Sequence, residues 1–327
     1  MIALTGPNGF VGSAVAELAR IGGQPLVPLT RHTQSTQTEA CAPRCIGDLG
    51  VDPIDPCILA GCTAVIHTAA RAHRMNEHGV TALAAYRQTN VIGTAKLIEA
   101  MTLAGVRRLV YVSSIKALGE RSREHPLRPQ DERHPEDPYG VSKAEAEDLI
   151  LTAHAQGLIE GVIIRPVLVH GTNAKGNLNR LMHAVLRRKI LPLGSVTNRR
   201  SLVGTRNLAA ALLTAATVPL PKPQLQPAFL YHIADDGVIS TRRLVEVLAE
   251  GMGVAPRLVS VPRWLAVGGA TMLGKAAIAR RLFDDMEVDD RDFRHAFNWT
   301  PHLGLEQGLR LMAADFAQRT HPDSTGS

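Results

Sequence analysis

Short apolar runs alternate with stretches of helical period along the first half of the chain. Ile2–Thr5 reads as a strand, and Phe10–Arg20 carries apolar residues at three- and four-residue spacing. The same pattern predicts strands at Leu26–Leu29, near Ile46, and at Ala64–His67, Arg108–Ser113 and Gly161–Arg165. Between them lie a long helix over Val80–Ala104, a polar, proline-rich loop from Glu120 to Pro138, and a helix over Tyr139–Gln156. Strands and helices alternating at this pace imply an α/β fold, a Rossmann-type doubly wound parallel sheet.

After residue 170 the rhythm loosens. A helix over Asn177–Lys189 precedes "LPLGSVTNRRSLV". Helix Thr205–Thr217, a proline-rich linker "VPLPKPQLQP" and strand Phe229–Ile233 then return to the sheet. From Thr241 onward, helices broken by Gly and Pro predict a smaller, mainly helical lobe. The expected division is 1–170 and 205–234 in the sheet domain, 171–204 and 235–316 in the lobe, and 317–327 as a loose tail.

The chain has 327 residues, 45% hydrophobic and 20% charged, enough for one large core and a smaller second one. The formal charge of +6 is spread over pairs such as Arg107-Arg108, Arg187-Arg188, Arg199-Arg200, Arg242-Arg243 and Arg280-Arg281, and only 4% of residues are aromatic. A nucleic-acid binder would gather charge on one stripe and supply rings for stacking, so that class is set aside. A phosphate-bearing small substrate or an anionic membrane surface suits the excess. "MIALTG" enters a strand without a basic n-region or an apolar h-region, so no leader is read.

The most apolar runs, Leu208–Leu220 and Trp264–Leu273, fall short of the ~20 residues that span a bilayer. They are expected to be core helices, and Trp264–Leu273 leaves room for a peripheral membrane contact. Cys41, Cys45, Cys57 and Cys62 lack the tight pairing of zinc sites. They are expected to be buried small hydrophobes, with no metal, as free thiols in a cytoplasmic protein.

Candidate chemistry enters with "TGPNGFVG". Gly6, Gly9 and Gly12 fall between the first strand and the first helix, where a pyrophosphate needs bare backbone at a helix N-terminus. The second strand ends in "PLTRHT", offering Arg31 and His32 where NAD-binding folds offer a carboxylate to the ribose 2′-OH. A guanidinium there suits a 2′-phosphate, so NADP(H) is the favoured cofactor and NAD the alternative. Asp48 in "IGDL" is placed to meet the adenine amine, and "HTAA" ends the fourth strand in small residues. Ser113 and Ser114 close the fifth strand, whose end points into the ligand crevice. Tyr139 and Lys143 stand four apart at a helix start and so share one face.

In order and spacing, "TGPNGFVG", "GDL", "HTAA", "TNVIGT", "VSSIKALG", "DPYGVSKAEAE", "IIRPVLVHG" and "NRRSL" resemble the extended short-chain dehydrogenase/reductases, the nucleotide-sugar epimerases, reductases and dehydratases. The resemblance implies a catalytic set of Ser114, Tyr139 and Lys143. It implies a cofactor surface of Gly6, Gly9, Phe10, Val11, Gly12, Arg31, His32, Asp48, Leu49, Ala69, Ala70, Asn90, Tyr139, Lys143 and Pro166. For the substrate, a UDP-sugar, it implies Ser113, Ser114, Arg165, Asn177, Leu178 and Arg200. Relatives often pair two helices, here Val80–Ala104 and the one carrying Tyr139, into a four-helix interface, so a homodimer is expected. Two positions depart from the pattern: Arg200 is followed by "SLVGT", and His170 replaces a common tyrosine.

A phenol with pKa near ~10 carries protons poorly at neutral pH, and bringing it to about 7 takes about 4 kcal/mol. Lys143 and an oxidised nicotinamide are the expected sources. Dehydratases of this kind place an Asp-Glu pair directly after the serine, whereas Ile115 and Lys116 stand here and cannot do that acid–base work. Reduction of a 4-keto group on a UDP-linked 6-deoxy-N-acetylhexosamine, for surface polysaccharide, is the preferred expectation. 4-Epimerisation of a UDP- or lipid-linked sugar comes next, and a silent NADP-binding regulator last.

Overall fold

In the computed structural model, residues 1–32, 41–72, 80–122, 124–174, 176–220, 229–272 and 282–320 are described. The strands in chain order are Ile2–Thr5 (β1), Leu26–Thr30 (β2), Arg44–Cys45 (β3), Ala64–His67 (β4), Arg108–Val112 (β5), Glu160–Pro166 (β6), Leu168–His170 (β7), Ile190–Leu191 (β8), Leu202–Gly204 (β9), Phe229–Ile233 (β10) and Arg257–Leu258 (β11). Seven of them form one sheet in the order β10-β6-β5-β4-β1-β2-β3, every pair parallel. β1 and β4 are buried at every position, as strands covered on both faces must be. The order reverses between these two, which opens a crevice at their carboxyl ends.

Phe10–Ile21 (α1) and Thr205–Thr217 (α6) cover one face, where Val15, Leu208 and Leu212 pack on Leu4, Ile66 and Val110. On the other face Leu97, Met101, Ala146 and Ile150 pack on Val65, Leu109 and Ile163. Each fully buried Leu or Ile contributes about 1.5–3 kcal/mol. The helix read as Val80–Ala104 is interrupted: Val80–Arg87 (α2) and Gly93–Leu103 (α3) flank a π-helical turn, Gln88–Ile92. Pro138–Ala155 (α4) begins behind an Asp137 cap.

The lobe joins Asn177–Leu186 (α5), Thr241–Met252 (α7) and Leu305–Thr320 (α10) around Met182, Leu244, Leu248, Leu309 and Met312. Arg263–Met272 (α8) and Arg291–Phe297 (α9) come between. The expected division puts 235–316 in this lobe, but Phe293 and Phe297 pack against Tyr231 of β10 at ring separations of 5.5 and 5.6 Å, and Trp299 packs on Phe293. α10 also runs past 316, with Ala317 packed on the lobe core, so the tail begins later than expected. Most of the proline-rich linker, Leu273, Arg280-Arg281 and the residues after Thr320 lie outside the described residues.

The expectation of four buried cysteines holds only for Cys62. Cys41, Cys45 and Cys57 are exposed: Cys45 lies on the edge strand β3, Cys41 just before it, and Cys57 on the 3-10 turn Pro56–Leu59. Among the described residues no helix is long and apolar enough to cross a membrane.

Candidate active site

β1 ends at Thr5 and the chain turns through Gly6 to Gly9 before α1. Gly6 has φ +66°, and a Cβ there would stand 2.8 Å from the backbone nitrogen of Ala69. A Cβ on Gly12 would stand 2.0 Å from the Gly6 carbonyl oxygen. Helix and strand therefore approach as closely as bare backbone allows, and Gly9 caps α1 without a side-chain bond. Among the described residues the first N–H groups have no side-chain acceptor, a cradle that fits a pyrophosphate. Three bonds pin the two strand ends beside it: Thr5 Oγ1 to His67 Nδ1 at 2.6 Å, Ala69 N–H to Thr5 Oγ1 at 3.1 Å, and Thr68 Oγ1 to the Thr5 carbonyl at 2.6 Å. Ala69 and Ala70 follow at half-buried positions.

Arg31 and His32 emerge exposed from the end of β2. Arg31 Nε lies 3.8 Å from Asp48 Oδ1, with both side chains largely open to solvent. This guanidinium and carboxylate stand at the edge where the adenosine end of a dinucleotide would lie, and Leu49 is buried beneath them. Val11 packs on the sheet core, whereas Phe10 packs on the lobe, so the first turn of α1 touches both halves.

Ser114 and Tyr139 meet, with Lys143 one turn along the same helix. Asp137 caps α4 by accepting the Gly140 N–H at 2.7 Å, and its other oxygen takes the ammonium of Lys116. Gly140 lets α4 settle on the short 3-10 turn Ile115–Ala117, since a Cβ there would lie 2.4 Å from the Lys116 carbonyl oxygen. That contact brings the Tyr139 phenol to the Ser114 hydroxyl, which bonds it. The Tyr86 ring meets the Tyr139 ring edge-on at 6.0 Å. Lys143 Nζ donates to the Val112 carbonyl at 2.6 Å and lies 4.1 Å from the centre of the Tyr111 ring.

Burial dominates the electrostatics. It pushes the Tyr139 phenol up to about 12, against the pull of the Ser114 bond. It brings the Lys143 ammonium down to about 7, against the pull of the Glu147 carboxylate. The lowering of Tyr139 expected from Lys143 is not supplied by the protein's own groups. In a desolvated site the lysine charge is itself disfavoured.

Several residues expected to touch ligands are committed elsewhere. Arg165 is 1% exposed and gives Nε and Nη2 to the two Glu147 oxygens at 2.9 and 2.6 Å, and Nη1 to the Pro129 carbonyl at 3.0 Å. Ser113, 2% exposed, donates to Glu147 Oε1 at 2.5 Å. Both side chains, expected at the substrate, are buried against Glu147 and brace the strand ends. Asn90, turned inward by the π-helical turn, accepts the Arg71 N–H at 2.8 Å and donates to the Arg71 carbonyl at 3.2 Å and to Ser142 Oγ at 3.0 Å. With both N–H groups and one lone pair of the oxygen engaged, it clamps β4's exit loop to α4. Pro166 ends β6 against Ile233. Glu147 escaped the sequence reading, although its place four residues after Lys143 puts it on the same helical face.

On the lobe side, Asn177 is exposed at the N-terminus of α5, whereas Leu178, 3% exposed, belongs to the lobe core. Asn177 presents its side chain there, and the contact expected of Leu178 is through its backbone. Arg200 is bridged by its backbone to Ile239 and Met286, and its guanidinium reaches the Asp284 carbonyl at 3.4 Å. Arg199 turns away, bonded through two nitrogens to Glu287 at 2.7 and 2.8 Å. His170 is buried, its Nε2 2.8 Å from Asp235 Oδ2. Asp235 also accepts the Gly204 N–H and, at 2.7 Å, the Asn207 amide. That junction is structural and was not foreseen.

Residues 2–225 match the model of the "NAD dependent epimerase/dehydratase family". The chain is 32% identical over 320 residues to a UDP-glucose 4-epimerase of Vibrio cholerae, covering 97% of this chain and 95% of that one. It is 30% identical over 212 residues to an Escherichia coli O157:H7 N-acetyl-alpha-D-glucosaminyl-diphospho-ditrans,octacis-undecaprenol 4-epimerase, covering 63% of this chain and 60% of that one. Among solved structures, MoeE5 in complex with UDP-glucose and NAD superposes with a TM-score of 0.72 at 25% identity, over 98% of this chain and 99% of that one.

Proposed function

The chain belongs to the NAD dependent epimerase/dehydratase family, and on that premise we propose that it reduces, with NADPH, the C4 ketone of a UDP-linked 6-deoxy-N-acetylhexosamine for surface polysaccharide. The Ser114–Tyr139 bond, with Lys143 one turn along α4, carries the reading, and the glycine cradle supports it. A nicotinamide held at this site would supply the hydride for C4. Tyr139 gives its phenolic proton to the C4 oxygen, Ser114 donates to that oxygen, and Lys143 offers its remaining N–H groups to ribose hydroxyls. Arg31, exposed at the end of β2, supports the phosphorylated cofactor, with Asp48 as the carboxylate it would exchange for a 2′-phosphate. Ile115 and Lys116 support a reaction without dehydration. Asn177 and Arg200 are the proposed substrate contacts. The exposed Val80, Ile92 and Leu103, along the α2–α3 helix, support the homodimer.

A second reading, 4-epimerisation with retained NAD, draws on the Vibrio cholerae relative and, for a lipid-linked sugar, on the Escherichia coli one. One experiment separates them. Protein, NADPH and a UDP-4-keto-6-deoxy-N-acetylhexosamine should lose the absorbance of reduced nicotinamide. UDP-N-acetylglucosamine without added cofactor should yield its 4-epimer only in the second reading. Tyr139→Phe should cut either turnover by roughly 10²–10⁴-fold with cofactor affinity nearly unchanged. Near-normal turnover would remove Tyr139 as proton carrier.

A further inference from the structure

β8 and β11 form a small parallel pair in which Ile190 faces Arg257 and Leu191 faces Leu258. Leu191 and Leu258 pack inward on the lobe core. Ile190, 66% exposed, and Val259, 46% exposed, are therefore on the outer side, where the two-residue period of a strand puts them with Arg257. The pair continues through the Gly194 N–H to Val259 carbonyl bond and the Ser195 hydroxyl to Val261 carbonyl bond, and α8 starts two residues later. On α8, Trp264 is 73% exposed and Met272 91%, two turns apart on one stripe, with Leu265 exposed beside them.

Cations outnumber acids around this apolar ridge. The sequence holds no Asp or Glu between Glu160 and Asp235, nor between Glu250 and Asp284. Arg187, Arg188 and Lys189, immediately before β8, are all exposed, as are Arg257 and Arg263. The acids at its border are engaged: Asp284 pairs with Arg263 at 2.6 Å and Glu246 with Arg242 at 2.8 Å.

We propose that this ridge docks on the surface of an anionic lipid bilayer, Trp264, Leu265 and Met272 entering the headgroup boundary and the flanking cations meeting lipid phosphates. Interfacial tryptophan beside arginine and lysine is the chemistry that such a surface rewards. A second copy of the chain is disfavoured as occupant, because a two-fold contact would set these cations against themselves. The ridge adjoins the proposed substrate side, since Asp284 holds both Arg263 and, through its carbonyl, Arg200. Docking is independent of the sugar chemistry, so its test needs no turnover.

The full-length protein is mixed with vesicles of phosphatidylcholine alone or of phosphatidylcholine with phosphatidylglycerol. Sedimentation and tryptophan emission are then read. The chain has two tryptophans, and Trp299 is 5% exposed within the core, so a change in emission reports Trp264. Co-sedimentation and a blue shift with the anionic vesicles are expected, both lost near about 1 M salt, where the screening length falls to about 3 Å. Arg187→Glu with Lys189→Glu should weaken partitioning roughly 10-fold, and Trp264→Ser should remove the shift while thermal unfolding is unchanged. No binding to either vesicle would overturn the proposal. So would a lipid-free blue shift that grows with protein concentration, which would assign the ridge to a second copy, or capture by an acidic protein with none by lipid.

Discussion

Two histidines show how strongly burial governs single residues in this protein. His67 and His232 are each brought down to about 3, first by burial and then by a neighbouring cation, Lys143 for His67 and Arg165 for His232. In the unfolded chain a histidine titrates near about 6.5. The folded values lie below that, so the unfolded state binds protons that the native state refuses. The stability contributed by these neutral rings is present above the unfolded value and is lost as pH falls through it toward the folded one. Urea midpoints should therefore drop between about pH 7.5 and pH 5, and His67→Asn with His232→Gln should flatten that slope. An unchanged slope would move the effect to other groups. Tyr139, Lys143 and the cradle glycines were legible in the sequence because each answers a local rule of spacing or backbone space. Glu147 and Asp235 were not, because their partners come from distant segments.

At the scale of elements, α4 carries the proposed proton carrier and Gly140 sets where it sits. With only 2.4 Å available for a Cβ before the Lys116 carbonyl, Gly140→Ala must shift either the helix or the 3-10 turn. Tyr139 would then leave Ser114. Turnover should fall roughly 10–100-fold, since a displacement near 1 Å costs on that order, while stability falls by only about 1–3 kcal/mol. Paired steady-state kinetics and urea melts check this, and a variant with normal turnover would show that the contact is slack. The long helix over Val80–Ala104 was legible as a helix, but its π-helical turn was not, because one inserted residue barely disturbs a helical period. β7–β9 and β8–β11 pairs went unread for a similar reason. Strands of two or three residues carry no measurable alternation.

At the scale of the whole molecule, Asp235 is the joint. It gathers His170 from β7, the Gly204 N–H at the end of β9 and Asn207 of α6, and Asn207 in turn bonds the Leu303 carbonyl at 2.8 Å just before α10. Asp235→Ala leaves those donors buried without an acceptor. It should cost about 3–5 kcal/mol and split a single calorimetric transition into two as sheet and lobe uncouple. One sharp transition at slightly lower temperature would mean that packing, rather than this joint, unites them. Alternating α/β order made the sheet domain legible, whereas the lobe is assembled from segments that share no periodic signature. The interleaving has a consequence for how the chain emerges from a ribosome. Phe293, Phe297 and Trp299 finish the face of the sheet beside β10, and Leu309 and Met312 of α10 close over Leu244 and Leu248 of α7. Neither core can seal when β10 appears. At about 5–20 residues per second, a nascent chain waits on the order of ten seconds with both apolar faces open, so its demand on chaperones falls late in synthesis.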